Sequence, residues 1–228
     1  PTPGKPRCSG VSWARRCVLE TGGTGGDGSG TFNISTTVAF VVAGAGLGVA
    51  KHGNRAMSSN CGSADVLAEL GFNLECSPEQ VAKSIDEVGI GFLFAPALHG
   101  AMKHAIGPRK ELGIRTLFNV LGPLTYPASA PNQVIGVFDR KWLNPLAETL
   151  KQLGSDHVLV VHSEDGMDEL STTSNNKICL LNDGDITNFT LYPEEYGLEK
   201  GNISETSFNT VSRKLHVDSR AGLIVLFS

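Results

Sequence analysis

The sequence has 228 residues, 40% hydrophobic and 18% charged, which is typical of a soluble globular chain with one sizeable core. The formal net charge is −4 and no basic run is longer than Arg15-Arg16, so the sequence shows no positively charged segment of the kind that binds nucleic acid or an anionic membrane. The longest apolar run, Val38 to Ala50, is shorter than the roughly 20 residues that span a bilayer. Five cysteines without Cys-x-x-Cys spacing argue against a disulfide framework or a zinc site and favour a reducing, cytoplasmic setting.

The stretch from Thr21 to Thr36 predicts a phosphate-binding loop. Six of the nine residues from Gly22 to Gly30 are glycines, whose N–H groups can converge on an anion without obstruction by side chains. The N-terminus of a helix predicted over Thr36 to Ala45 would point at the same anion. A flexible linker is the alternative, but linkers rarely lead into a long apolar segment. The predicted anion-binding residues are Gly23, Gly26, Asp27, Thr31, Asn33, Ser35 and Thr36; for Asp27, a role in stabilising the turn is the alternative.

Strands and helices alternate around this loop. A short strand over Arg15 to Leu19 would lead into it, and Leu47 to Ala50 reads as the strand after the helix. Because ligands bind at the carboxyl ends of parallel strands, Lys51 and Asn54 should face the loop. A second hydroxyl-rich turn follows, with Ser58, Ser59 and Ser63, and then a helix over Ala64 to Leu70.

The remaining chain continues the alternation and predicts an α/β fold with a mostly parallel central sheet flanked by helices. Prolines between Arg115 and Pro131 predict a structured loop or hinge there. Leu143, Leu146, Leu150 and Leu153 should share one helix face. The predicted helices are Pro78 to Val88, capped by Ser77, then His99 to His104 and Lys141 to Leu153. The predicted strands are Ile90 to Phe94, Val134 to Phe138, His157 to His162, and a hairpin of Ile178 to Leu181 with Ile186 to Leu191.

Several motifs together resemble the anthranilate phosphoribosyltransferase family over about residues 19 to 198. The motifs are Gly23-Thr24-Gly25-Gly26-Asp27, Asn33-Ile34-Ser35-Thr36, Lys51-His52-Gly53-Asn54-Arg55, Gly62-Ser63-Ala64-Asp65, Arg109-Lys110-Glu111-Leu112-Gly113 and Asp168-Glu169. The resemblance implies a homodimeric enzyme of tryptophan biosynthesis. It would transfer the 5-phosphoribosyl group from phosphoribosyl pyrophosphate (PRPP) to the amine of anthranilate, with Mg²⁺, and release pyrophosphate. The implied fold is that of the nucleoside phosphorylases and phosphoribosyltransferases.

The resemblance also implies roles for individual residues. Asp168 and Glu169, with Ser35, would hold Mg²⁺ against the leaving pyrophosphate. Arg109 would bind the anthranilate carboxylate through two parallel hydrogen bonds, with Gly23, Asn54 and His99 around the acceptor. No general base is expected, because an aromatic amine is already neutral and nucleophilic, and catalysis would come from positioning and charge stabilisation. PRPP would be bound by the predicted anion-binding loop and by Lys51, Asn54, Ser58, Ser59 and Ser63.

Against the family pattern, both ends of the chain look atypical. Residues 1–18 would replace most of the helical domain, and residues 19–228 would form a PRPP-binding catalytic domain that is incomplete at its C-terminus. We therefore expect a weakened or absent dimer. Two other functions are open: a nucleoside phosphorylase of the same architecture, disfavoured by Arg109 and Asp168-Glu169, and an inactive nucleic-acid binder, disfavoured by the acidic charge.

Overall fold

The structure is a computed structural model that describes residues 18–25, 27–56, 61–98, 107, 111, 116–125, 128, 130–199 and 201–202. These residues form a seven-stranded sheet with helices packed against it. The strands are β1 (Val18–Gly23), β2 (Gly48–Gly53), β3 (Ile90–Phe94), β4 (Asn132–Gly136), β5 (His157–Ser163), β6 (Asn176–Asn182) and β7 (Asp185–Leu191). The α-helices are α1 (Ile34–Gly44), α2 (Ser63–Glu69), α3 (Pro78–Val88), α4 (Ala95–Leu98), α5 (Leu117–Leu124) and α6 (Leu143–Gln152), with 3₁₀ turns at Arg140–Trp142 and Pro193–Tyr196.

The sheet order is β3-β2-β1-β4-β5-β6-β7, and the first five of these strands are parallel to one another. Only the last two pairings, β5 with β6 and β6 with β7, are antiparallel. The predicted α/β class with a mostly parallel sheet is therefore confirmed. From β1 the chain moves outward to β2 and β3, then returns to place β4 on the other side of β1. The carboxyl ends of β1 and β4 thus form a topological switch point, where open α/β sheets bind ligands.

Local sequence signals account for several elements. Helix α3 begins with a capping box: the Ser77 hydroxyl accepts the N–H of Gln80 at 3.3 Å, and the Gln80 side chain accepts the N–H of Ser77 at 2.8 Å. The helix ends at Gly89, whose φ of 88° is the left-handed conformation that glycine tolerates. The hairpin turn between β6 and β7 has positive φ at both Asp183 and Gly184, as a type I′ turn requires.

The segment predicted as a loop or hinge between Arg115 and Pro131 contains helix α5, so that prediction is wrong over Leu117–Leu124. Thr116 begins the helix, and its N–H donates to the side-chain oxygen of Asn119 at 3.0 Å. Pro123 lies in the last turn, where it removes one hydrogen bond and the helix ends one residue later. A proline near a helix end is cheaper than one in the middle, and our prediction did not allow for this.

Two other boundaries differ from the sequence prediction. Strand β1 runs through Glu20 and Thr21 to Gly23, so the glycine-rich turn begins later than expected. Leu143, Leu146 and Leu150 are buried in the core against β4, β5 and β6, but Leu153 follows the end of α6 and is 37% exposed. The predicted helix over His99 to His104 and the strand segment before Val18 lie outside the described residues.

Candidate functional site

Two loops meet at the switch point. The glycine loop, residues 24–33, connects β1 to α1, and the acidic loop, residues 164–175, connects β5 to β6. In the parallel pairing of β1 with β4, Gly23 lies opposite Gly136. A Cβ atom at Gly136 would overlap the carbonyl oxygen of Asp168, and one at Gly23 would lie 2.8 Å from the Asp168 carboxylate. The absence of a side chain at these two strand ends therefore lets the acidic loop lie directly on the sheet.

Asp168 and Asp27 join the two loops by reciprocal hydrogen bonds. The Gly25 N–H donates to the Asp168 carboxylate at 2.6 Å, and the Asp168 N–H donates to the Asp27 carboxylate at 3.4 Å. Asp27 also accepts the N–H and the hydroxyl of Ser29, at 3.2 and 2.6 Å. The turn-stabilising role that we considered for Asp27 is thus observed, and the same carboxylate also contacts the acidic loop.

The two predicted metal-binding carboxylates have pKa values above their ordinary range. Burial, followed by repulsion from Asp27, raises the pKa of Asp168 to about 7. Burial and repulsion from Asp168 raise the pKa of Glu169 to about 8, against the opposing effects of Lys51 and a hydrogen bond from the Ser35 backbone N–H. Both shifts have the same origin, because negative charge is concentrated where little water can screen it. The site therefore favours a cation.

Lys51 lies within β2 and is buried, whereas the sequence placed it after the strand. Its ammonium group donates to the carbonyl oxygens of Thr21, at 3.3 Å, and His52, at 2.9 Å. Burial lowers the pKa of Lys51 to about 8, although Glu169, Glu20 and Asp168 act in the opposite direction. Lys51 thus links β1 to β2, and its ammonium group lies close enough to Glu169, Glu20 and Asp168 to interact with their charges.

The other described residues that we predicted on the glycine-loop side lie at or near the start of α1. Asn33 is the N-cap residue of this helix, and its carbonyl oxygen accepts from Thr37. Thr31 contacts Ser29 through their hydroxyls at 3.4 Å. Thr36 is buried, and its hydroxyl has no hydrogen-bond partner within the described residues. This places Thr36 on the inner face of the helix, while Ser35 reaches Glu169 through its backbone.

On the opposite side, Asn54 follows β2 and Ser63 begins α2. The carbonyl oxygen of Asn54 accepts the N–H of Ala64 at 3.1 Å and the Ser63 hydroxyl at 3.5 Å. Gly26, Ser58, Ser59, His99 and Arg109 lie outside the described residues, so their predicted roles stay predictions. His162, within β5, contacts the Val137 carbonyl oxygen through Nδ1 at 2.8 Å.

Thr24 is a site residue to which the sequence assigned no role. Thr24 extends the pairing of β1 with β4 beyond the strand ends: its N–H donates to the Gly136 carbonyl oxygen at 2.9 Å, and its hydroxyl accepts the Phe138 N–H at 3.0 Å. This contact anchors the first residue of the glycine loop. The sequence showed Thr24 only as part of the Gly23-Thr24-Gly25-Gly26-Asp27 motif, and its partners could not be known before the strand order was known.

The site offers backbone donors and carboxylates, but no large metal cluster. Among the residues that the structure describes, no group of three or more His, Cys, Asp or Glu side chains is arranged to hold a metal ion. Mg²⁺ in proteins commonly uses one or two carboxylates and takes its other ligands from water and substrate phosphates. Asp168 and Glu169, adjacent carboxylates whose ionised forms a bound cation would stabilise, fit that second kind of site. No helix in the described part of the chain has the length and apolar character needed to cross a membrane.

Comparisons with known proteins agree with this geometry. The sequence profile described as "Glycosyl transferase family, a/b domain" matches residues 15–214. The anthranilate phosphoribosyltransferase of Thioalkalivibrio sulfidiphilus is 56% identical over 209 residues, covering 92% of this chain and 59% of that protein. That of Methylococcus capsulatus is 57% identical over 198 residues, covering 87% of this chain and 58% of that protein. The chain therefore spans somewhat less than three fifths of the length of these relatives.

Solved structures give the same result. Anthranilate phosphoribosyltransferase from Thermus thermophilus superposes with a TM-score of 0.78 at 49% identity, covering 85% of this chain and 57% of that one. The Saccharomyces cerevisiae enzyme in complex with PRPP and Mg superposes with a TM-score of 0.76 at 34% identity, covering 88% and 56%. Another yeast structure contains 4-fluoroanthranilate.

Proposed function

Because the chain belongs to the glycosyl transferase family with the a/b domain, we propose that it transfers the 5-phosphoribosyl group of PRPP to the amine of anthranilate. Pyrophosphate is the other product, and the reaction is a step of tryptophan biosynthesis. One observation carries the proposal: the glycine loop and the Asp168 carboxylate are joined by the Gly25 hydrogen bond of 2.6 Å at the switch point of the sheet. Donors for phosphate and carboxylates for a cation therefore lie at one edge of the sheet, as a substrate that carries a 5′-phosphate and a metal-bound pyrophosphate requires.

In the proposed reaction, the glycine loop and the N-terminus of α1 bind phosphate oxygens through backbone N–H groups. Asp168 and Glu169 hold Mg²⁺, which supplies positive charge to the pyrophosphate oxygens as they depart. Lys51 adds a positive charge beneath the same groups. The anthranilate amine needs no base, so these residues act by binding, orientation and charge stabilisation.

The acceptor side of the proposal rests on the relatives and on the sequence. The named relatives act on anthranilate, and a yeast structure contains 4-fluoroanthranilate. We propose that Arg109 binds the anthranilate carboxylate and that Asn54 borders the acceptor. A cytoplasmic location is a further proposal, and the thiols of Cys76 and Cys179, which form no disulfide, suit a reducing compartment. The family's homodimer, which we expect to be weakened or absent for this chain, stays a prediction.

Pyrophosphate release from PRPP, measured with and without anthranilate, tests the proposal. We expect release that depends on both anthranilate and Mg²⁺ and that falls by at least about tenfold in Asp168→Asn, because a charged ligand is lost. Release of ribose phosphate from a nucleoside and inorganic phosphate, without activity on PRPP, would instead identify a nucleoside phosphorylase. A chain that binds single-stranded nucleic acid and leaves PRPP intact would contradict both enzymatic assignments.

A further inference from the structure

We propose that Asp165 is a positioning residue that holds Asp168 and Glu169 in the arrangement that binds a divalent cation. Asp165 acts through the backbone and hydroxyl groups of the acidic loop. The inference rests on the proposed function for the identity of the substrate that accompanies the cation, but the binding of the cation can be measured separately.

The Asp165 carboxylate holds the turn that precedes Asp168 and Glu169. The Met167 N–H donates to the Asp165 carboxylate at 3.3 Å. Ser163 closes the same turn from β5: its carbonyl oxygen accepts the Gly166 N–H at 2.9 Å, and its N–H donates to the Met167 carbonyl oxygen at 3.1 Å. Met167 is buried and directly precedes Asp168, so the Asp165 carboxylate fixes the residue from which the metal-binding pair extends.

The same carboxylate also holds the segment that follows the pair. The hydroxyls of Ser171 and Thr173 both donate to Oδ2 of Asp165, that of Ser171 at 2.7 Å. Ser171 is fixed further by Asn176, a fully buried residue whose side chain accepts the Ser171 N–H at 2.7 Å and donates to its carbonyl oxygen at 2.8 Å. One carboxylate thus ties down the loop both before and after Asp168 and Glu169.

The pKa of Asp165 suits this role, because it is lowered, whereas the pKa values of Asp168 and Glu169 are raised. Burial would raise the pKa of Asp165, but hydrogen bonds from Thr173, Ser171 and Ser163 outweigh burial and hold the pKa below its ordinary value. The group is therefore ionised at neutral pH and only accepts hydrogen bonds. Asn at this position replaces one accepting oxygen with an NH₂ donor, which cannot satisfy all the donors that now converge on the carboxylate.

Glu164 provides a matched control, since it carries the same charge one residue away. It makes partly exposed contacts with Lys177, at 3.0 Å, and with Asn175, at 3.2 Å. Glu164→Gln therefore changes the net charge of the loop as much as Asp165→Asn does, but leaves the hydrogen bonds around the Asp168-Glu169 pair in place. A second control, Val158→Ala, removes buried volume at the opposite end of β5 and lowers stability without touching the loop.

The experiment measures Mn²⁺ binding to the full chain in the presence of pyrophosphate, from the electron paramagnetic resonance signal of free Mn²⁺, well below the melting temperature of each variant. We expect Mn²⁺ affinity to fall by about 10-fold to 100-fold in Asp165→Asn, the range for residues that orient metal ligands. Ser171→Ala, which keeps the carboxylate, should show a smaller loss. Glu164→Gln and Val158→Ala should stay within about twofold of the parent chain.

Unchanged Mn²⁺ affinity in Asp165→Asn would overturn the inference, and so would equal losses in Asp165→Asn and Val158→Ala, which would indicate a purely structural role. If Asp165→Asn does not fold, Ser171→Ala decides in its place. A parent chain that binds no Mn²⁺ with pyrophosphate also overturns it. If the contrast in Mn²⁺ affinity is found but PRPP is not consumed with anthranilate, the inference stands and the proposed function fails.

Discussion

The glycine loop and the acidic loop meet at one site, but they are stabilised in different ways. The acidic loop carries its own network of side-chain hydrogen bonds, centred on Asp165 and Asn176. The glycine loop takes its shape from Gly25, Gly28 and Gly30, which all have positive φ, and a Cβ on any of them would meet no described atom within 4 Å. The acidic loop is therefore held mainly by side-chain hydrogen bonds, whereas the glycine loop combines left-handed glycines with the hydrogen bonds made by Asp27 and Thr24.

The difference corresponds to what each loop offers a ligand. A buried carboxylate is costly when no cation is bound, so its neighbours must hold it in position by hydrogen bonds. Carboxylates held in this way are already arranged for the cation when it binds. Phosphate is bound by N–H groups, and a glycine backbone presents these without side chains in the way. The glycines at the base, Gly23 and Gly136, serve a third purpose, since they make room for Asp168.

The largest expected effect comes from filling that space. In Gly136→Ala the new methyl group overlaps the Asp168 carbonyl, so the acidic loop must leave the sheet. We expect the free energy of unfolding, from urea titration, to fall by about 3 kcal/mol or more. Gly122→Ala is the control, because Gly122 lies in α5 with open space around it and the substitution should be neutral or stabilising by up to about 1 kcal/mol. Similar stabilities for the two variants would show that the loop does not depend on close contact with β4.

The second prediction separates ligand binding from stability within the acidic loop. Asp168→Asn removes a charge that is repelled by Asp27, yet it keeps an oxygen that can accept the Gly25 N–H. We expect calorimetry to show PRPP binding with Mg²⁺ weakened by about 1.5–3 kcal/mol, with anthranilate binding nearly unchanged. Arg109→Ala should show the reverse pattern. If Asp168→Asn lost anthranilate and kept PRPP, the two subsites would be exchanged.

The sequence predicted the elements whose signals are local. The cap of α3 by Ser77, the continuous apolar strand Ile90–Phe94 and the hairpin that turns at Asp183-Gly184 are each specified by a few adjacent residues. The position of Asp168 and Glu169 at a strand end was also predictable from the alternation of strands and helices.

Such local signals did not predict the contacts between segments that are far apart in the chain. Gly136 and Thr24 belong to the site because β4 lies beside β1, a consequence of strand order that periodicity does not encode. Lys51 was placed after its strand because a charged residue is seldom buried; nearby acidic groups and two carbonyl oxygens allow the exception. Asp165 looked like an ordinary loop residue, since its hydroxyl partners lie further along the chain.

The third prediction concerns pH. The pKa of Asp168, about 7, and that of Glu169, about 8, lie above their ordinary values, so the folded chain binds more protons than the unfolded chain between about pH 4 and 8. Stability should therefore fall as pH rises through this window, by at most about 1.4 kcal/mol per pH unit for each group. Lys51, with its lowered pKa, acts in the opposite sense above about pH 8.

Urea titrations of the parent chain and of Asp168→Asn from pH 5 to 8, without metal, isolate this effect. The free energy of unfolding of Asp168→Asn should rise relative to that of the parent chain as the pH rises. Mg²⁺ with pyrophosphate should reduce this relative increase, because it stabilises the ionised carboxylates of the parent chain. A constant difference in stability across the range would show that Asp168 is ionised throughout and that its burial has little effect on its pKa.

The smallest expected effect tests the glycine loop itself. Gly28 has a φ of 76° and no described atom near its missing Cβ, so Gly28→Ala introduces backbone strain but no overlap. We expect a loss of about 1 kcal/mol in stability, the cost of a left-handed conformation for alanine. Gly184→Ala, in the hairpin turn with a φ of 89°, carries the same strain far along the chain from the loop and should lose a similar amount. Only Gly28→Ala should also weaken PRPP, because strain in the glycine loop is relieved by moving the N–H groups that bind phosphate. Calorimetry that shows equal PRPP affinity for the two variants would mean that the conformation at Gly28 is not what presents those donors.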